Sequence, residues 1–144
     1  MQNRPKAGLP REARLRGYDA FGSIFRSGDG LRRGELILKY IVHQPGAGAI
    51  RAGFVVRRGT GGAVRRNRVR RLLRETYRLQ CTSFAASLPG GLDLSIVFLW
   101  SGTPQQAVNP RFDVIEAQMR AALDALAKRL RRRNDATGEQ RYGR

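Results

Sequence analysis

Apolar and polar residues alternate along two neighbouring stretches of the chain with the period of two that is typical of a β-strand. In residues 35–43 (ELILKYIVH), every second side chain is apolar on one face, and the other face is mixed. A glycine-rich turn follows at residues 44–49, and residues 50–57 are largely apolar again. We therefore expect the second stretch to pair back on the first as a hairpin.

A third strand is predicted by residues 92–100 (LDLSIVFLW), a nearly continuous apolar run. It lies between a glycine-rich loop and the strand-breaking sequence Ser101-Gly-Thr-Pro104. Strands that are buried on both faces have this composition. We expect this segment to be the central strand of a sheet.

A short amphipathic helix is predicted around three aromatic residues. Tyr18, Phe21 and Phe25 recur at helical spacing, and glycines at positions 28 and 30 end the segment. Such an aromatic stripe is most often a plain core face. Beside a basic groove, however, it can also stack on unpaired bases. The residues alone leave both interpretations open.

The C-terminal helix is predicted to begin at Asn109, with Asn109 as its N-cap and Pro110 at its first position. Its apolar residues at helical spacing are Phe112, Ile115, Met119, Ala122, Leu123, Leu126 and Leu130. Acidic residues lie near its start and basic residues at 128–133 near its end, as the helix dipole favours. Docking on the core accounts for this helix.

The central helix is predicted to begin near Ala63, after a strand and a glycine turn at residues 59–62. On a wheel of about 100° per residue it separates into two faces. The packing face contains Val69, Leu72, Leu73, Thr76 and Gln80, with Tyr77 at its edge. The opposite face contains Asn67, Arg70, Arg71, Arg74 and Arg78.

Charge changes the interpretation of this helix. Residues 51–78 contain ten arginines and one acid, Glu75. A charge run is usually a solvated face, but such faces normally mix both signs in i,i+4 pairs. Since there is almost nothing here for the arginines to pair with, we predict a surface that binds a polyanion.

The whole composition supports this prediction. The 144 residues are about one domain's worth, and the formal net charge is +17. Nucleic acid is the partner that such a charge favours. We expect no membrane partner, because the single tryptophan, Trp100, ends a strand and no apolar run approaches the ~18 residues of a membrane span. The N-terminus lacks the apolar part of a secretory signal, so we expect a cytoplasmic protein.

The sequence contains no pattern of a protein active site. The single cysteine, Cys81, and the single histidine, His43, argue against an internal disulfide and a structural zinc site. The glycine turn matches no nucleotide-binding pattern, but backbone N–H groups at the start of a helix can bind a phosphate oxygen. Asn67 is predicted either to read a base or sugar edge or to brace the turn.

Residues 51–75 also resemble a known family. The sequence Arg51-x-Gly53-x-Val55-Val56-Arg57-Arg58, followed by Ala63-Val64 and by Arg66-Asn67-Arg68-Val69-Arg70-Arg71 with Arg74-Glu75, is similar to the signature block of the bacterial ribonuclease P protein component. Leu15-Arg16 and the pair Phe21 and Phe25 match the family's N-terminal flank. The resemblance covers about residues 9–130.

The resemblance implies a fold and a function. The fold would be a small α/β (α+β) two-layer sandwich, a mostly antiparallel sheet with packed helices, similar to a ribosomal-protein domain and with a left-handed βαβ crossover. The protein would be a subunit of an endoribonuclease that removes the 5′ leader from precursor tRNA. The hydrolysis would be performed by the ribonuclease P RNA subunit with Mg²⁺ that the RNA binds, and the protein alone would bind no cofactor.

The resemblance also implies the site residues. The RNA subunit and nearby phosphates would be contacted by Arg57, Arg58, Arg65, Arg66, Asn67, Arg68, Arg70, Arg71 and Arg74. The single-stranded leader would lie in a cleft with Phe21, Phe25 and Lys39. Lys39 is a departure, because the resemblance implies an aromatic residue at this position and Tyr40 stands beside it. Either the register is shifted by one residue or the contact with the leader is ionic.

We expect one RNA-binding domain at residues 9–132 between two disordered tails, residues 1–8 and 133–144. The alternative to the ribonuclease P function is a structural RNA-binding protein of the ribosomal or assembly-factor kind, which would bind RNA without stimulating leader removal. A DNA-compacting protein is a third hypothesis, which an aromatic cleft beside a basic helix disfavours.

Overall fold

The computed structural model describes residues 9–43 and 46–142. Its helices are α1 (Tyr18–Ser27), α2 (Ala63–Ala86), α3 (Pro104–Val108) and α4 (Phe112–Tyr142). Its strands are β1 (Asp29–Arg33), β2 (Leu36–His43), β3 (Ile50–Val56) and β4 (Asp93–Trp100). Single 3-10 turns occupy Arg11–Ala13 and Arg58–Thr60. The predicted N-terminal tail, residues 1–8, lies outside the described residues.

The four strands form one sheet in the order β1-β2-β4-β3. The β1–β2 and β2–β4 pairs are antiparallel, and β3 and β4 are parallel. The mostly antiparallel α/β sheet is therefore confirmed, as is the central position of β4. The connection from β3 through α2 to β4 is the predicted βαβ crossover.

The predicted hairpin between residues 35–43 and 50–57 is wrong, because β4 lies between β2 and β3. The loop before β3 crosses the start of β4, where the Asp93 carboxylate accepts hydrogen bonds from the backbone N–H groups of Ala47 and Ala49, both at 2.9 Å. A strand as apolar as β4 needs a hydrogen-bonded neighbour on each edge and cover on each face. Inserting it between β2 and β3 satisfies that need.

The two faces of the sheet carry different helices. Phe54 of β3 contacts Tyr77 of α2, with ring centroids 5.8 Å apart. The neighbouring Gly53 lies against Phe21 of α1 instead. Because successive strand residues point to opposite faces, α1 lies on the face opposite to α2. Helix α4 packs beside α2, so α2, α4 and the sheet form the two main layers.

The predicted packing face of α2 is confirmed. Val69, Leu73, Thr76 and Tyr77 are buried, and Leu72 packs against the core at its margin. Tyr77 lies 5.3 Å from Phe98 of the central strand, measured between ring centroids. Burial raises the pKa of the Tyr77 hydroxyl above its ordinary value. The arginines of α2 therefore project away from a well-packed core.

The predicted start of the C-terminal helix is wrong. A separate short helix, α3, begins after Thr103, whose side chain accepts a hydrogen bond from the Gln106 N–H while the Gln106 side chain accepts one from the Thr103 N–H. This capping box takes precedence over the Asn-Pro signal, and Asn109 ends α3 instead of starting α4. Phe112, predicted to be in the core, is 38% exposed.

The far end of α4 also differs from the prediction. Its backbone stays helical to Tyr142, through residues that were assigned to a disordered tail beginning at position 133. Among the side chains that the structure describes, which reach residue 134 in this helix, the last buried apolar one is Leu130. The backbone of α4 continues as a helix for about three turns beyond it.

Candidate nucleic-acid interface

The nine basic and amide residues predicted to contact RNA lie together on α2 and the turn before it. Arg57, Arg58, Arg65, Asn67, Arg68 and Arg71 are exposed, and Arg66, Arg70 and Arg74 are half-buried. The nearby acid, Glu75, forms an ion pair with Arg78, which lies outside this set. In this pair Arg78 donates hydrogen bonds to the Glu75 carboxylate, and they lower the pKa of the Glu75 carboxyl. None of the nine forms an ion pair with a side chain that the structure describes.

The charges on α2 repel one another. The pKa of the Arg74 guanidinium is lowered from its ordinary value, first by burial and then by the positive charges of Arg14, Arg70 and Arg71. Like charges packed this closely destabilise the folded chain unless an external anion neutralises them. Arg14, in the N-terminal segment, is therefore within electrostatic reach of the arginine face of α2, which we define as Arg70, Arg71 and Arg74.

Three of the nine residues hold the local structure as well. Arg66 donates a hydrogen bond to the Gly61 carbonyl oxygen at 3.0 Å, and Arg68 donates one to the Val108 carbonyl oxygen at 3.2 Å. Arg70 donates to the side-chain oxygen of Asn67. Since a guanidinium has five N–H donors, each arginine keeps others for a ligand. Asn67 therefore orients Arg70, and its own amide N–H donors point to no acceptor among the described residues.

The glycine turn presents the start of α2. Gly62 is the N-cap residue of the helix, and no side chain caps the helix there. Thr60 is buried and donates its hydroxyl to the Gly102 carbonyl oxygen at 3.3 Å, which ties the turn to the end of β4. The turn is therefore held in place, and the first backbone N–H groups of α2 lie close to several arginines. The binding of a phosphate there stays a prediction.

The predicted leader cleft lies between α1 and the sheet. A Cβ atom added at Gly53 would lie 2.5 Å from two ring carbons of Phe21, so the ring of Phe21 rests directly on the backbone of β3. Phe21 and Phe25 are both half-buried. Ile24 between them is buried and attaches the helix to the sheet. The rings of Phe21 and Phe25 are therefore partly buried and partly accessible.

The register settles which residue of β2 faces α1. The Lys39 ammonium donates a hydrogen bond to the Phe25 carbonyl oxygen at 3.0 Å, whereas Tyr40 is buried among the core residues. Beyond α1, three half-buried apolar side chains line this face of the sheet, because Ile37 pairs with Leu99 and Leu99 pairs with Val55. The cleft thus has an apolar floor and a cationic lysine.

A basic groove of about 630 Å³ adjoins the cleft. It is lined by Arg11, Glu12, Arg14, Leu15, Arg16, Ala20, Arg51 and Ser95. The N-terminal segment is held there because the Leu15 N–H donates to the Ala52 carbonyl oxygen at 2.9 Å. Arg14 lines this groove, and its charge acts on Arg74 of α2. The groove therefore lies beside the α1 cleft and within electrostatic reach of α2.

The four arginines of the groove were not among the predicted site residues. One signal for Arg51 was available, because strand alternation puts it on the same face as Gly53. For Arg11, Arg14 and Arg16 the indication of RNA binding in the sequence was weaker, namely that residues 11–16 are rich in arginine. Their convergence depends on tertiary structure.

The described residues carry no cluster of three or more histidine, cysteine, aspartate or glutamate side chains that could hold a metal ion. His43 lies at the exposed end of β2, with its Nε2 atom 3.5 Å from the Ser95 hydroxyl. Within the same part of the chain, we find no helix with the length and apolar content needed to cross a bilayer. The chemistry that this surface offers is the binding of anions by guanidinium groups and of flat apolar groups by the cleft.

Comparison with known protein families gives a match over most of the chain. The sequence model of the family described as Ribonuclease P matches residues 9–131. A ribonuclease P protein component from Streptomyces bikiniensis is 36% identical over 129 residues, which cover 85% of this chain and 94% of that protein. One from Brevibacillus brevis is 37% identical over 89 residues, which cover 62% of this chain and 67% of that protein.

Solved structures share the fold. The ribonuclease P protein from Thermotoga maritima superimposes with a TM-score of 0.58 at 24% identity, over 76% of this chain and 94% of that chain. The protein from Staphylococcus aureus gives a TM-score of 0.56 at 18% identity, over 83% of this chain and 92% of that chain. At these identities the likeness supports the fold alone.

Proposed function

The chain belongs to the ribonuclease P protein family, and we propose that it binds the catalytic RNA of that ribonucleoprotein together with the 5′ leader of precursor tRNA. Family membership makes it a component of a tRNA-processing endoribonuclease. The observation that carries the proposal is the basic surface, in which arginines of α2 without an ion-pair partner among the described side chains lie within electrostatic reach of a basic groove beside an aromatic cleft.

The arginine face of α2 is suited to structured RNA. Its guanidinium groups lie on one side of a rigid helix, and the planar fork of each group matches the oxygens of a phosphate. Side chains cannot read the deep, narrow major groove of an RNA helix, so contacts to phosphates and sugars carry most of the binding. In this proposal α2 binds the RNA subunit and fixes the position of the protein on it.

The cleft is suited to an unpaired strand. Phe21 and Phe25 offer accessible ring surface for stacking, and Lys39 and the groove arginines offer positive charge along the path of a backbone. The basic groove beside the cleft includes Arg14, the groove residue whose charge acts on α2. A leader emerging beside the RNA subunit could therefore lie in the cleft while the protein holds that RNA through α2.

We assign the hydrolysis, and the Mg²⁺ it requires, to the RNA subunit. Mg²⁺ binds oxygen ligands, and guanidinium groups have no lone pair to offer it. The interface consists mainly of such groups. In this assignment the protein contributes binding and orientation of the precursor, and no residue of this chain takes part in bond cleavage.

The test is cleavage of a labelled precursor tRNA at low Mg²⁺ by RNA subunit alone, protein alone and the two together. We expect cleavage at the mature 5′ end from the mixture and none from the protein alone. Cleavage by the protein alone would overturn the assignment of the chemistry to RNA. Tight RNA binding without any stimulation, by folded protein and active RNA, would favour a structural RNA-binding protein.

A further inference from the structure

The second half of α4 carries a basic segment that the proposed interface does not use. We define the α4 arginine segment as residues 128–133, in which Lys128, Arg129, Arg131, Arg132 and Arg133 are all exposed. Leu130, the remaining residue of the segment, is buried. Basic side chains therefore cover the exposed surface of the helix around Leu130.

The helix dipole does not explain this charge. Basic residues are favourable in the last turn of a helix, and the effect falls off within that turn. Helix α4 ends at Tyr142, nine residues after Arg133, which is about 13 Å along the helix at 1.5 Å per residue. The segment thus lies in the interior of the helix and needs another explanation.

Pairing with the side chains that the structure describes does not explain it either. Two members make single hydrogen bonds to backbone carbonyls: Arg129 to Gly30 at 3.1 Å and Arg131 to Ser87 at 3.0 Å. Lys128, Arg132 and Arg133 make neither a hydrogen bond nor an ion pair with the side chains and backbone that the structure describes. Like charges at i and i+4, such as Lys128 with Arg132, repel each other in a helix.

The segment is well separated from the arginine face of α2, whereas at its other side Arg129 donates to Gly30, the strand partner of Lys39 in the cleft. Arg131 contacts Ser87, the residue that ends α2, and Ser87 lies 17 residues beyond Arg70. At 1.5 Å per residue this is about 25 Å along the axis of α2. The screening length at physiological salt is about 8 Å, so a phosphate held by α2 does not neutralise this segment.

We propose that the α4 arginine segment is a second RNA-binding surface, which holds phosphates of an RNA double helix. The proposal rests on the proposed function, because the RNA belongs to the same ribonucleoprotein or its substrate. A membrane surface is disfavoured, because such a helix needs apolar side chains facing lipid and the only one here, Leu130, faces the core. Guanidinium groups around a projecting helix suit the phosphates on both walls of a groove.

The experiment compares Arg132→Gln/Arg133→Gln with the matched control Arg111→Gln/Arg120→Gln, which removes the same charge from the opposite end of the α4 region. Affinity for the RNA subunit, and for precursor tRNA bound to the holoenzyme, is measured across a range of salt. We expect the test variant to bind one of these RNAs roughly 10- to 100-fold more weakly near 0.1 M salt, with a log–log salt slope about 2 smaller. We expect the control to bind like the wild type.

The RNA that responds identifies the source of the phosphates, either the RNA subunit or the tRNA. Unchanged binding of both RNAs by a test variant with wild-type helicity would overturn the proposal, and so would an equal loss in the control. Loss of binding to phosphatidylserine vesicles, with RNA binding unchanged, would overturn it in favour of a membrane. The proposed function fails separately, if the wild type does not stimulate leader removal.

Discussion

The ammonium group of Lys39 lies 3.0 Å from the carbonyl oxygen of Phe25, so a residue of the sheet donates a hydrogen bond to the last turn of α1. This contact fixes the end of the cleft where the helix and the sheet meet. It also leaves two of the three N–H donors of Lys39 for a ligand. Lys39 therefore makes a structural contact and keeps donors for the leader that we propose it binds.

Replacing Lys39 separates these two roles. Lys39→Met removes both the hydrogen bond and the charge, and we expect it to lower the free energy of unfolding by about 1 kcal/mol. Lys39→Arg keeps the charge and a donor and should retain affinity for precursor tRNA better than Lys39→Met. Urea unfolding and precursor binding are the two measurements. Equal precursor affinity in all three proteins would show that Lys39 has no part in binding.

Gly53 is predicted to be essential for the position of Phe21. Gly53→Ala places a methyl group where the ring now lies, and we expect a loss of about 1–3 kcal/mol in stability together with weaker precursor binding. Gly90→Ala is the control, because a Cβ at Gly90 meets no atom within 4 Å. Thermal unfolding of both variants tests the difference. If Gly53→Ala is as stable as Gly90→Ala, the ring does not rest on β3 in solution.

Two exposed arginines of α2 provide a clean test of RNA binding. Arg65 and Arg71 make no hydrogen bond within the described structure, whereas Arg66 and Arg70 each hold a neighbour. Arg65→Gln/Arg71→Gln should weaken binding of the RNA subunit roughly 10- to 100-fold and reduce the log–log salt slope by about 2. The free energy of unfolding should change by less than about 0.5 kcal/mol. A large loss of stability would mean that these side chains support the fold instead.

Asp93 gives a prediction about pH. Hydrogen bonds from the backbone N–H groups of Ala49, Ala47 and Gly48, and the charge of Arg51, lower the pKa of its carboxyl in the folded protein. The stabilisation is therefore present above the unfolded pKa of about 3.9 and is lost as the pH falls through the folded value. Asp93→Asn should be less stable than the wild type near neutral pH, and the difference should shrink below about pH 4. A constant difference would mean that the carboxylate charge is not the cause.

The local elements of this protein are predictable from its sequence, because they depend on periodicity. The apolar run at residues 92–100 predicts a strand with both faces covered, and the wheel of α2 predicts which residues pack and which project. The order of the strands is not predictable in this way. Pairing residues 50–57 with residues 35–43 assumed that neighbours in sequence are neighbours in the sheet, and β4 breaks that assumption.

The candidate site shows the same difference between residues that a local pattern predicts and residues that only tertiary structure brings together. The nine residues of α2 and its turn lie within residues 57–74, and four of them, Asn67, Arg70, Arg71 and Arg74, share the face of the helix opposite its packing face, so the sequence pattern finds them. The groove arginines come from residues 11–16 and from Arg51, which tertiary structure brings together. The start of α4 was assigned wrongly because two capping signals, at Thr103 and Asn109, compete and only the first is used.

The proposed function depends on binding of the precursor through its 5′ leader. The most direct measurement is the affinity of precursor tRNA and mature tRNA for the RNA subunit, with and without protein, using Phe21→Ala as the cleft variant and Phe112→Ala as an aromatic control outside it. We expect the wild-type protein and the control to increase affinity for the precursor much more than for mature tRNA, and Phe21→Ala to lose most of that preference. An equal increase for both tRNAs, or an unchanged preference in Phe21→Ala, would contradict the account.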